Sequence, residues 1–190
     1  MTADPGDTLL VLRAQAGDIE AFDGLFRRYA PLLLRHLRYV LRDDSLAEDV
    51  LQDTLILMYR KLKYVRDPAS VRPWLYRIAT REALRALDTR RRRAESPIDE
   101  SPQLTSASLE RLLERSLLGR AGREEVERLP PASRAVLSLH YLEALPLAEV
   151  AGVLGIPLGT VKSRLAAGLD RVRHTIGARL RPARPRRRSE

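Results

Sequence analysis

Apolar side chains recur at helical spacing along most of the chain. After Asp18, which is placed to cap a helix, the residues Ala21, Phe22, Leu25, Phe26, Tyr29, Leu32, Leu33, Leu37 and Val40 mark one buried helical face. Pro31 within this run predicts a kink or a break, and Arg42-Asp43-Asp44 ends it. Ser45 and Glu48 have the Ser-x-x-Glu pattern of a capping box. They open a second helix that reaches about Lys63, with Leu46, Val50, Leu57 and Leu62 as its apolar set. Asp67-Pro68 then breaks the chain. Ser70 is placed to cap a third helix with Pro73 in its first turn. Trp74, Leu75, Ile78, Ala79, Leu84 and Leu87 form the apolar stripe of that helix, which closes in the arginine run Arg90 to Arg93.

The lettering changes after Ala94. Residues 95–108 are rich in Ser and Pro and read as linker, with a short helix expected over Leu109 to Leu118. Helical periodicity returns near Glu124 and is punctuated by Pro130-Pro131. Helices are predicted over Ala132 to Leu142, Leu147 to Leu154, and from Thr160 to about Arg179. The tail, residues 181–190, is basic and proline-containing and is expected to be disordered. The predicted architecture is all-α. Two small helical domains, 1–94 and 122–180, are joined by a flexible linker over 95–121, and the C-terminal one contains a helix-turn-helix.

Composition narrows the function. Lys and Arg number 34 against 25 Asp and Glu, for a net charge of +9, which points to a polyanionic partner. The absence of cysteine excludes disulfides and thiolate metal sites. His36, His140 and His174 lack ligand-like spacing, and no glycine-rich phosphate loop is present, so no metal, cofactor or enzymatic activity is expected. The N-terminus lacks the cationic start and apolar run of a signal peptide. No stretch is long and apolar enough to span a bilayer. A cytoplasmic protein without membrane insertion is expected.

The segment from Leu147 to Leu165 carries the most specific local chemistry. A helix-turn-helix needs a short first helix, a small residue where the helices cross, a turn with glycine freedom and a second helix aimed at the groove. Ala151 supplies the small contact, and Gly155 the turn, where a Cβ would resist positive φ. Val150, Leu154, Ile156, Val161 and Leu165 fill the angle between the helices, and Thr160 is placed to cap the second. Its reading face would carry Thr160, Lys162, Ser163, Arg164 and Ala167, with Arg171 and Arg173 further along for backbone phosphates.

Two further helix faces are charged. Glu48 and Gln52, and Asp49 and Asp53, are each four apart and share one surface of the second helix. Such a surface suits a basic protein partner, and it also fits a plain solvated face. On the third helix Arg77, Arg81, Arg85 and Arg90 form a basic stripe able to track a DNA backbone, with Tyr76 and the Tyr64 to Ser70 loop near its start. Trp74 is expected in the core.

In order along the chain stand AFDGLFRRY, DDSLAEDVLQDTL, VRPWLYRIATREAL, a linker, and LPPASRAVLSLHYLEALPLAEVAGVLGIPLGTVKSRL. Together these resemble a bacterial sigma factor of the extracytoplasmic-function type, from about Asp18 to Arg173. The resemblance implies that Leu46 to Leu57 grips the clamp helices of core RNA polymerase, making Glu48, Asp49, Gln52 and Asp53 the polymerase contacts. It implies that the Trp74 to Arg92 helix, with Tyr64, Tyr76, Arg77, Arg81 and Arg85, engages the minus-ten element of promoter DNA. The loop from about Lys63 to Val71 would hold a base extruded from the opened strand, which must offset lost stacking. The helix-turn-helix would read the minus-thirty-five element. A dedicated anti-sigma factor is expected as a further partner. Where the family often has Arg-Asn after Ile-Ala, this chain has Thr80-Arg81.

Two other classes of protein compete with this reading. A conventional regulator would bind an operator through the same helix-turn-helix, usually as a dimer on a palindrome. An enzyme would show turnover of a small molecule by the pure chain.

Overall fold

The computed structural model describes residues 5–94, 126 and 128–180. The linker over 95–121, the short helix at 109–118, the restart near Glu124 and the tail at 181–190 lie outside the described residues. Among those described, regular structure is helical throughout. It comprises α1 (Pro5–Gln15), α2 (Ile19–Leu41), α3 (Asp44–Lys61), α4 (Val71–Ala94), α5 (Pro131–Leu137), α6 (Leu147–Leu154) and α7 (Leu158–Leu180). Two 3-10 turns, Leu62–Tyr64 and Pro68–Ser70, join α3 to α4, and one π-helical turn, Ser138–Leu142, extends α5.

Helices α1 to α4 make the first body. Asp18 caps α2 by accepting the Ala21 N–H at 3.1 Å, and Ala21, Leu25, Tyr29, Leu33, Leu37 and Val40 form its buried stripe. The helix passes through Pro31 without a break and ends where Arg42 turns left-handed at φ 60°. The cap of α3 is Asp43, not Ser45. The Asp43 carboxylate accepts the Leu46 N–H at 3.0 Å and also holds Arg90 at 2.7 Å, so a charged acceptor with two donors displaces the hydroxyl two residues on. Ser70 likewise caps nothing. Its hydroxyl donates to the Asp67 carbonyl, while the Asp67 carboxylate accepts from Ala69 N–H. Helix α4 buries Val71, Leu75, Ala79 and Ala83 at four-residue spacing, and Trp74 is half-buried against the same core.

Helix α1 was not expected from the apolar pattern. Its Leu9, Leu10, Val11 and Leu12 run together without a helical period, and of these only Val11 is fully buried. Polar contacts fix it instead. The Tyr29 hydroxyl donates to Asp7 at 2.5 Å, and Gln15 donates to the carbonyls of Leu62 and Val65 at 2.9 and 2.8 Å. Burial first, then the Asp7 bond, push the Tyr29 hydroxyl pKa upward.

Helices α5 to α7 make the second body. Val126, Leu129, Leu137 and Val172 form its own small core. Gly168 allows the close approach, since a Cβ there would meet Leu137 Cδ1 at 3.3 Å and Leu129 Cδ1 at 3.4 Å. The predicted helix over Ala132 to Leu142 widens at Ser138, where the Glu143 N–H reaches back to the Ser138 carbonyl.

The two bodies pack against each other. Ala135, Val136, Leu139, Leu145, Val150, Val153 and Val161 of the second join Leu33, Leu37, Leu75, Tyr76 and Ala79 of the first in one continuous core. Arg134, 6 % exposed, donates to the Val40 carbonyl from Nε at 3.1 Å and Nη2 at 2.6 Å. His36 is wholly buried at this seam. Its Nδ1 lies 2.9 Å from Ser138 Oγ and its Nε2 2.8 Å from Thr80 Oγ1. Burial, and secondarily the Arg35 charge, push the His36 pKa down to about 3. Among the described residues no helix is long and apolar enough to cross a membrane.

Candidate polymerase and nucleic-acid interfaces

Glu48, Asp49, Gln52 and Asp53 all stand exposed on α3, opposite its buried Ala47, Val50, Thr54 and Met58. Glu48 is held by Arg38 Nη2 at 3.0 Å. Asp49, Gln52 and Asp53 make no hydrogen bond or ion pair among the described residues. Asp49 and Asp53 line a groove whose far wall is Arg85, Arg90 and Arg93 of α4. Arg85 is engaged with Glu82 at 3.1 Å and Arg90 with Asp43 at 2.7 Å. The carboxylate of Asp43 is held below the usual range by the Leu46 N–H and by Arg90.

The loop between α3 and α4 presents Tyr64, 70 % exposed, with Lys63 Nζ 5.0 Å from its ring centroid. An open aromatic face beside an ammonium group can stack a base and meet its phosphate. Arg77, Arg81 and Arg85 are exposed along α4, as expected. Tyr76 is not at the surface. It is fully buried, its hydroxyl donates to the Glu143 carboxylate, and burial followed by that negative charge pushes its pKa upward.

The helix-turn-helix is α6, a turn and α7. Gly155 takes φ 66° and ψ 34°, the left-handed conformation that closes α6. Val150, Val153 and Val161 are buried between the helices. Helix α7 begins at Leu158, so Thr160 lies inside its first turn and is not the cap. Pro157 sets the start, and its carbonyl accepts the first helical bond, from Val161 N–H at 3.1 Å. Lys162, Ser163, Ala167 and Arg171 are exposed, while Thr160 and Arg164 are half-buried beside them. Ser163 Oγ donates to the Thr160 carbonyl.

The spacing gave no sign of the residues that join the two bodies. Arg35 and Arg72 of the first meet Glu143 of the second across 108 and 71 positions of chain. Among the described residues no group of His, Cys, Asp and Glu could hold a metal ion.

Among the described residues, an all-helical fold with a helix-turn-helix, a separate arginine-faced helix and an exposed acidic face has the features of a DNA-binding transcription protein. Comparison with known proteins gives the family. The Sigma-70 region 2 profile matches residues 25–93 and the Sigma-70 region 4 profile residues 126–174. The chain is 32 % identical to the RNA polymerase sigma-H factor of Pseudomonas aeruginosa, covering 96 % of this chain and 97 % of that one. It is 33 % identical to the ECF RNA polymerase sigma factor RpoE of Cereibacter sphaeroides, over 90 % and 96 %. Its fold resembles CnrH solved with the cytosolic domain of CnrY (TM-score 0.67, 24 % identity, 92 % of this chain and 99 % of that chain). It also resembles RpoE solved with the anti-sigma factor NepR from Bartonella quintana (TM-score 0.70, 20 % identity, 84 % and 98 %). The chain belongs to the sigma factors of the extracytoplasmic-function type, carrying sigma-70 regions 2 and 4. It is a non-enzymatic factor that directs promoter recognition through those two regions.

Proposed function

We propose that the chain docks on core RNA polymerase through Asp49, Gln52 and Asp53, with Glu48 at the edge of the same face. It then reads two promoter elements with two separate surfaces. Arg77, Arg81 and Arg85 of α4 follow the minus-ten strand, and Tyr64 stacks an extruded base. Helix α7 reads the minus-thirty-five element through Lys162, Ser163, Arg164 and Ala167, with Arg171 on the backbone. Holding the single strand favours the melted promoter, which shifts the closed-to-open equilibrium without covalent chemistry. The observation that carries this reading is the pair of unpartnered carboxylates on α3, exposed on the body opposite to the helix-turn-helix. An operator-binding regulator has no use for them. The chain works where the chromosome and polymerase are, in the cytoplasm, and an anti-sigma factor, as NepR is for RpoE, keeps it in check.

In vitro transcription with purified core enzyme on a genomic promoter library tests the proposal. Transcripts should start at a defined set of sites and vanish when the chain is omitted. Tight sequence-specific binding by the free chain, unchanged by core enzyme, would instead mark a conventional regulator. Arg164→Ala should weaken the preferred minus-thirty-five sequence by about 1–2 kcal/mol relative to a scrambled one, as expected for loss of a base contact. Equal weakening on both sequences would make Arg164 a phosphate contact.

A further inference from the structure

A carboxylate from region 4 fills a cationic site built by region 2. Glu143, whose side chain is fully buried, follows the π turn and points into the first body. Arg35 grips it in a fork, with Nη2 at 2.8 Å from Oε1 and 2.9 Å from Oε2, and Nε at 3.1 Å from Oε1. The Tyr76 hydroxyl donates to Oε2, and Arg72 donates to the Glu143 carbonyl. One guanidinium group and a phenol therefore converge on the carboxylate, and a second guanidinium holds the backbone carbonyl of the same residue. The planar fork of arginine suits a phosphate as well as a carboxylate.

The surroundings indicate which phosphate. Tyr76 adjoins Arg77, and Arg81 is one turn further along α4, so the site lies at the head of the exposed basic stripe. Over that stripe sits the end of α6. Gly152, Val153, Leu154 and Gly155 share one cleft with Arg77, Thr80, Arg81 and Leu84. Region 4 therefore lies in the path a DNA strand would take along α4, and places a negative charge at its end.

We propose that Arg35 and Tyr76, with the Arg72 charge beside them, form one anion site, filled by the Glu143 carboxylate in the free chain and by a phosphodiester of the promoter strand once region 4 moves away. The proposal rests on α4 being the minus-ten reader. The exchange replaces one anion with another, so Arg35 keeps a charge-assisted partner in both states. Closed chain and strand-bound chain exclude each other. The free factor is thereby kept from binding single strands.

The absence of cysteine allows clean labelling. Donor and acceptor dyes on Arg60→Cys and Ala148→Cys report the separation of the bodies by energy transfer. Anisotropy of a fluorescein-labelled single strand of mixed sequence reports binding, since phosphate contacts are indifferent to sequence. Glu143→Gln should lower energy transfer and tighten the strand about tenfold, by raising the competent fraction. Arg35→Ala should also lower energy transfer, yet bind the strand more weakly than Glu143→Gln, with a salt slope reduced by about one contact. Tyr76→Phe removes a donor and no charge. It should open the chain to a smaller extent, and it carries the test if circular dichroism shows that Glu143→Gln has lost its helices.

Unchanged energy transfer and strand affinity in Glu143→Gln and Tyr76→Phe would overturn the latch. Equal strand affinity and salt slope in Arg35→Ala and Glu143→Gln would overturn the phosphate site. None of these readings uses polymerase, so a chain that fails to co-purify with core enzyme would be detected separately.

Discussion

Replacing Asp49 and Asp53 together with Lys should abolish co-purification with core RNA polymerase while preserving the helical circular dichroism signal and lowering the melting temperature by only a few degrees, as about 1 kcal/mol implies. The two halves of this expectation have different causes. In the free chain both carboxylates are exposed and make no ion pair among the described residues, so folding gains little from their charge. They stand four apart on α3, and like charges at that spacing repel by a few tenths of a kcal/mol. Two lysines would repel to a similar extent and would face Arg85, Arg90 and Arg93 across an open groove, where screened like charges cost little each, so the loss of stability should be about 1 kcal/mol. At a cationic dock the balance differs. Each reversed charge would face a desolvated basic partner, and losing such a pair costs about 2 kcal/mol or more. Two reversals together should weaken binding by about a thousandfold. Glu48→Ala should do far less, because Arg38 already holds Glu48 in the free chain. If the double variant still co-purifies with core enzyme, the acidic face is solvated surface and the dock lies elsewhere.

The parts of this protein that sequence reveals are those whose partners lie nearby in the chain. Helix α6 is found at Leu147–Leu154, as its periodicity predicts, and Gly155 takes the left-handed turn that its position required. The buried stripe of α2 is largely the predicted one for the same reason. Helix ends were less legible. Asp43 and Ser45, or Asp67 and Ser70, are rival caps a few residues apart, and an outside partner such as Arg90 decides between them. The seam between the bodies was not legible at all. Arg35, Arg72, Arg134 and Glu143 look like ordinary surface charges, because nothing local distinguishes a charge that will be buried by a partner some seventy to a hundred residues away. The same blindness affected Tyr76. Its place on α4 pointed to the DNA face, and the body that covers that face could not be seen from the spacing.

Acid should loosen the seam, and His36 sets the range. In the closed chain its ring is buried between Ser138 of region 4 and Thr80 of region 2, edge-on to the Tyr76 ring with centroids 5.5 Å apart. The charged groups facing this pocket are Arg35 on α2, Arg72 on α4 and Glu143 beyond the π turn, with Tyr76 as the neighbouring acid. An added proton would find no water there and would be repelled by Arg35, which is why the pKa falls from 6.5 to about 3. Opening or unfolding returns the ring to water. Between these two values the open chain therefore binds a proton that the closed chain does not. The contribution of His36 is complete above pH 6.5 and is lost as pH falls toward the folded value. By pH 4.5 the loss should be about 3 kcal/mol, measurable as a lower urea midpoint and as reduced energy transfer between the two bodies. His36→Asn keeps a polar partner without a titrating ring. It should be weaker at pH 7 and nearly flat down to pH 4.5. The depressed pKa values of Asp18 and Asp43 put their acid loss below this window. An equal pH slope in the parent and in His36→Asn would therefore remove the histidine from the account and leave other carboxylates as the cause.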